Sequence, residues 1–174
     1  MLDFGYYTTV TIPAIAIAIL VGFPQQGQTV DVNTVEVSCD RQTSIPTVVA
    51  TLSSQETSQV TPILSFLPQY FSPNEALLNC IDTAEKLHTF YNQDRMNYLA
   101  SDTIEQKPVV CAVERRGLSC DSYSSEILFS LTEPVNPTEL LYNMLGNNFK
   151  GSRLPSSRTV SRIYTDLRPL WWPL

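Results

Sequence analysis

A chain of 174 residues is long enough for one ordinary domain with its own apolar core. Its 17 acidic against 11 basic side chains give a formal charge of -6, and the Lys and Arg are scattered, which excludes a surface built to track nucleic-acid phosphates. Six glycines leave little room for a phosphate-cradling loop, and no dinucleotide turn or calcium loop occurs.

In chain order, the first element is an apolar run from Ile12 to Phe23. At about a dozen residues it is too short for the roughly 20 that a spanning helix needs. A polar break, Pro24 to Gln28, follows, so residues 1–28 read as an export signal or a retained N-terminal anchor. The pattern departs from the usual signal in having Asp3, and no Lys or Arg, before the run. A buried core strand is the competing reading.

The domain proper is expected over residues 29–152. Val35 to Asp40 alternates apolar and polar, and Thr47 to Leu52 follows a Ser44-Ile45-Pro46 turn, which predicts two paired strands. A polar stretch from Ser53 to Gln59 ends the second. Pro62 to Leu67 reads as a third strand in an edge position, because a proline cannot donate to a ladder. From Asn74 the period changes to three and four. Leu77, Ile81, Ala84, Leu87 or His88, and Tyr91 predict an amphipathic helix with Asn74 as its N-cap and Cys80 at the edge of the apolar face. A short segment at Met96 to Leu99 and a turn at Ser101-Asp102 come next, then strands at Pro108 to Val113 and Glu126 to Thr132. Asn136-Pro137 starts a second helix carrying Leu140, Leu141, Met144 and Leu145, which Gly146 or Gly151 can end. The expected fold is α+β: a mostly antiparallel sheet of about five to six strands, a main helix on one face and a second helix towards the C-terminus.

Residues 153–174 read as a tail. It holds Arg153, Arg158, Arg162 and Arg168 and closes on Trp171 and Trp172. Indole rings beside cations suit headgroup depth at a membrane surface, so Trp171, Trp172, Arg162 and Arg168 are candidate membrane contacts. The alternative is that the indoles fold back onto the sheet.

Four cysteines, Cys39, Cys80, Cys111 and Cys120, follow the signal-like segment, and an even count in an exported chain reads as two disulfides. Three pairings are open. Cys111 and Cys120 bracket the polar turn Glu114 to Gly117, which favours joining them, and Cys39 with Cys80 would then clamp the main helix to the first strand. Zinc is the other use of such residues, but structural zinc wants closely spaced ligand pairs, which are missing here.

The search for chemistry is short. His88 is the only histidine and adjoins the apolar face of a helix, a poor place for a general base. Asp82 with Glu85, or Glu105 with Glu114, are spacings without a site. No catalytic, metal or cofactor-binding residue is assigned, and no cofactor is expected. The expected role is a non-enzymatic binding or structural module of an exported chain. Its partner would be a protein or a membrane surface, with no nucleic acid and no transmembrane span in the mature chain. The alternative is an envelope enzyme inhibitor, displaying the loop from Glu114 to Ser119, or a small hydrolase.

Several segments carry a resemblance. They are Val37-Ser38-Cys39, Pro46 to Thr51, Pro62 to Phe66 with Tyr70-Phe71-Ser72-Pro73, the helical Cys80, and Tyr98-Leu99, followed by Pro108 to Cys111, Gly117 to Cys120 and Leu128 to Leu131. In this order, residues from about Val37 to Lys150 resemble the circadian oscillating polypeptide family of cyanobacteria. Phe66 stands where that family usually has Trp, and Asn79 where it has Arg. The resemblance implies an exported, peripherally membrane-associated protein of unknown activity with rhythmic expression, placed in the periplasm, the thylakoid lumen or at the outer face of a membrane, and it brings no catalytic residues.

Overall fold

The computed structural model describes residues 34–53, 57–95, 97–150 and 163–168. The N-terminal apolar run, Arg162, Trp171 and Trp172 therefore lie outside the described residues.

The alternating residues of β1 (Thr34–Asp40) pair antiparallel with β2 (Thr47–Ser53), and β2 pairs with β3 (Ser58–Ser65). The third strand starts within the polar stretch read as a connection, because Gln59 and Val60 pair with Leu52 and Thr51 on the exposed end of the ladder. Pro62 sits on this edge strand, opposite a register shift between Val48 and Val49, where a missing N–H breaks no bond.

Helix α1 (Pro73–Asn92) begins two residues earlier than Asn74 suggested. Ser72 is the N-cap: its Oγ accepts from the Glu75 N–H, and Glu75 Oε2 accepts from the Ser72 N–H at 3.0 Å, a reciprocal capping box with Pro73 in the first turn. The Ser72 hydroxyl and N–H hold the Glu75 carboxyl below the usual range. The buried face is rotated from the one predicted. Ala76, Cys80, Thr83, Ala84, Leu87 and Phe90 face inward, whereas Ile81 is 40% exposed and Leu77, His88 and Tyr91 are half-buried. Cys80 sits at the centre of the face because its bond to Cys39 fixes which side of the helix meets β1.

A second sheet follows, in the order β6-β5-β4-β7, built from β4 (Tyr98–Ile104), β5 (Lys107–Val113), β6 (Ser125–Ser130) and β7 (Tyr164–Asp166). The expected single sheet is thus two antiparallel sheets of three and four strands. Ser101 and Asp102 are not a turn but buried residues of β4. The turn is at Glu105-Gln106, both with positive φ (49° and 66°), in a two-residue hairpin closed by Ile104 and Lys107. β7 comes from the segment read as a tail, and it pairs with β4 along Tyr98 to Ala100.

Between β6 and β7 lie α2 (Pro137–Met144), capped by Asn136 as expected, and a single 3-10 turn, Asn147–Phe149. The main core unites both sheets and both helices. Val48, Ile63 and Leu64 of the first sheet meet Leu99, Val110 and Leu128 of the second, with α1 and α2 packed among them. Helix α1 covers one seam between the sheets, packing against β1, β2 and β6, while α2 lies on β4 and β5. A smaller cluster fills the other face of the second sheet, where Tyr98, Val109, Cys111 and Val113 are covered by Leu118 and Cys120.

Gly146 joins α2 to β3. Its N–H donates to Ile63 O at 2.9 Å, beside a bridge between Leu64 and Leu145. A Cβ here would lie 2.1 Å from the Pro62 carbonyl oxygen, a backbone atom that no side-chain rotation can move away. Gly146→Ala is therefore expected to cost about 2 to 3 kcal/mol by forcing α2 off β3. Chemical denaturation checks this, and an unchanged midpoint would show that the contact yields freely.

Candidate functional site

All four cysteines are consumed in disulfides, Cys39 with Cys80 and Cys111 with Cys120, as the sequence favoured, and no free cysteine occurs among the described residues. A zinc site on these sulfurs is thereby ruled out. The Cα atoms are 5.6 Å apart in each bond. The first bond ties α1 to β1. The second folds the loop from Glu114 to Ser119 over the outer face of the second sheet. Asp102 reinforces it from β4, accepting from the N–H groups of Cys120 (3.4 Å) and Thr103 (2.8 Å). Such bonds form and persist in oxidising compartments, so the chain fits an exported protein.

The residues weighed for chemistry stay apart. His88 is half-buried, and its Nδ1 accepts from the Val37 N–H at 3.4 Å, a contact that helps hold α1 on β1. Asp82 pairs with Lys86 at 2.7 Å, Glu114 pairs with Arg95 at 2.7 Å, and Glu105 occupies the exposed hairpin turn. Among the described residues, no group of three or more His, Cys, Asp or Glu side chains gathers as a metal site. The loop proposed for inhibition is tied at both ends. Glu114 O accepts from Asn97 Nδ2, Leu118 O accepts from the Tyr164 hydroxyl, and Arg115, Arg116 and Gly117 stand exposed between them.

What brings functional groups together is the seam that α1 does not cover. There a cleft of about 530 Å³ opens between the first sheet and β7, with the 3-10 turn along its side. Leu52 and Phe149 form an apolar wall, Gln59 and Asn148 offer amide groups, and Arg116 and Lys150 bring positive charge. Its volume lies in the range of small-molecule sites. No local pattern announces it, since its lining comes from β2, β3, the Cys120 loop, the 3-10 turn and β7, spread from Leu52 to Asp166.

Arg168, one of the candidate membrane contacts, lies beside this cleft. Its Nε and Nη2 donate to the two carboxylate oxygens of Asp166 at 2.9 and 2.5 Å, and its guanidinium sits 4.9 Å from the centre of the Tyr98 ring. Arg116 approaches the same ring at 5.5 Å. The hydrogen bonds from Arg168, aided by the nearby charge of Arg116, hold the Asp166 carboxyl below its usual range. A lowered carboxyl contributes stability that is present above its ordinary range and is lost as pH falls through the lowered value. Exposure of the pair to solvent keeps the effect small. The protection of the Leu167 amide, whose N–H donates to Asn97 O, relative to the intrinsic exchange rate at each pH, is expected to fall in acid in the native chain. Asp166→Asn should remove that pH dependence while exchange in α1 stays unchanged. Equal acid sensitivity in both proteins would show that the pair does not hold β7.

Among the described residues no helix is long and apolar enough to cross a membrane. No curated protein and no solved structure matches the chain significantly. A family model described as circadian oscillating protein COP23 matches residues 37–171. The match runs from β1 through β7 and extends past Lys150, so the last strand belongs to the shared fold. With most of its length matched, and with every described strand and helix inside the match or overlapping its first residue, the chain belongs to the circadian oscillating protein COP23 family.

Proposed function

We propose that this chain is an exported, non-enzymatic binding module of a cyanobacterial envelope or thylakoid lumen, associated peripherally with a membrane and rhythmically expressed. The observation that carries the reading is the pair of disulfides, one pinning α1 to β1 and one closing a loop on the second sheet, which suit a compartment where thiols are oxidised. Residues 1–28 serve as the export signal or anchor, and Trp171 and Trp172 with Arg162 supply the membrane contact. Arg168 contributes less to that contact, because Asp166 already engages its guanidinium.

The test is fractionation of cells that express the whole chain, with alkylation of thiols before lysis and capture of partners from the envelope fraction. Export predicts recovery outside the cytoplasm with all four cysteines protected from alkylating reagent. Recovery in the cytoplasm with reactive thiols would sink the reading. Removal of residues 169–174 isolates the membrane contact, since it deletes both tryptophans and leaves β7 in place. If the shortened chain pellets with membranes as well as the full one at low salt, the tail does not make the contact.

A further inference from the structure

We infer that the cleft between β3 and β7 binds a small amphipathic anion, an apolar body carrying one carboxylate or phosphate group. This rests on the reading of the chain as a binding module and names the class of ligand. Three observations carry it.

The first is architectural. The two sheets share one core, and helix α1 packs over the seam where β1 and β6 lie. At the opposite seam, among the described residues, β3 meets the Leu145–Gly146 end of α2 and the turn Asn147–Phe149, and the cleft of about 530 Å³ remains beside that turn. That is room for a ligand, not for a few waters.

The second is charge. The chain is acidic, with a formal charge of -6, yet the cleft is lined by two cations and one carboxylate. The carboxylate, Asp166, is already neutralised by Arg168 through two hydrogen bonds. Arg116 and Lys150 have no ion-pair partner among the described residues. Arg116 faces the Tyr98 ring, and Lys150 Nζ donates to Asn143 O at 3.3 Å and lies 5.7 Å from the Tyr142 ring. Lys150 is thus left without an acid, and Arg116 meets only the nearby charge of an Asp166 whose two oxygens Arg168 already engages, so both cations keep donors for an incoming anion.

The third is the mixed character of the walls. Leu52 and Phe149 offer an apolar surface, while Gln59 and Asn148 provide donors near the cations. A bare inorganic ion leaves the apolar wall wet, and a purely apolar molecule leaves the cations unused. A molecule with both parts satisfies both walls.

Calorimetry on the purified full chain with laurate as the probe tests this, with dodecanol as the neutral counterpart. Arg116→Gln with Lys150→Gln is expected to weaken laurate binding about tenfold or more and to leave any dodecanol binding unchanged. Arg116→Lys with Lys150→Arg should retain laurate binding, which guards against a folding defect, as does an unchanged thermal midpoint. A parallel arm with phosphatidylglycerol vesicles separates the sources. Laurate binding indicates a free ligand, whereas binding to vesicles alone, lost in the Gln variant, indicates a lipid held in a bilayer. The inference is overturned if neither probe binds, or if the Gln variant binds as well as the native chain. Envelope capture that succeeds where both probes fail would leave the binding module standing and remove this ligand class.

Discussion

Phe66→Ala is expected to destabilise the fold by about 4 kcal/mol, the range measured when a large buried aromatic side chain is removed from a rigid core. Phe66 is 1% exposed at the end of the third strand, and its ring centre lies 5.3 Å from Phe71 and 5.2 Å from Phe129. Phe71 and Phe129 are themselves 5.8 Å apart, so the three rings form a closed triangle with tilted and edge-on contacts. The triangle joins parts of the chain that share no strand pairing: the residue just after β3 of one sheet, the turn before α1, and β6 of the other. Deleting its first corner leaves a void that Phe71 and Phe129 cannot fill without moving two elements, so collapse is poor and the cost falls high in the range. Equilibrium unfolding in urea checks this. A loss under about 1 kcal/mol would mean that the sheets are not coupled through these rings.

Removing the bond between Cys39 and Cys80 by a double substitution to alanine is expected to cost about 4 kcal/mol, against about 2.5 for the bond between Cys111 and Cys120, when each is treated as a closed loop in the unfolded chain. The difference follows from sequence separations of 41 and 9 residues. Placement points the same way. The longer loop encloses β2, β3 and the first part of α1, and its bond fixes the helix on the edge strand, where the long hydrogen bond from the Val37 N–H to the His88 side chain gives weaker support. The shorter loop is also held by Asp102 and by the Tyr164 hydroxyl. Denaturation of the two double variants side by side gives the comparison, and an equal or reversed order would contradict the account.

The sequence was legible wherever a local pattern matched a local cause. Strand alternation in β1 and β2, and the Asn136-Pro137 start of α2, needed no distant information. The cysteine pairing was legible because a turn lay between one pair. The structure departs from the local pattern where a distant contact decides the outcome. Leu77 and Ile81 look like the core face of α1, yet the helix meets two sheets and is pinned through Cys80, so Thr83 and Phe90 turn inward instead. The cap itself is written locally, as the Ser72-x-x-Glu75 capping box two residues before Asn74. At β4 the hairpin turn uses Glu105 and Gln106 at positive φ, residues with none of the Asn-Gly chemistry that marks such turns, while Ser101-Asp102 mimics a turn inside a strand. β7 is three residues long and pairs with a strand more than sixty positions earlier, so no period announces it. For the same reason the cleft, which needs β7 for one wall, could not be seen before the fold was known.

The order of the cysteine bonds has a consequence for how such a chain matures. Each sulfur is joined to its neighbour along the sequence, first to second and third to fourth. A polypeptide that emerges N-terminus first into an oxidising space, and has each thiol linked to the next one to appear, reaches this arrangement without ever making a wrong pair. Vectorial oxidation is then sufficient, and a disulfide isomerase has no bond to correct.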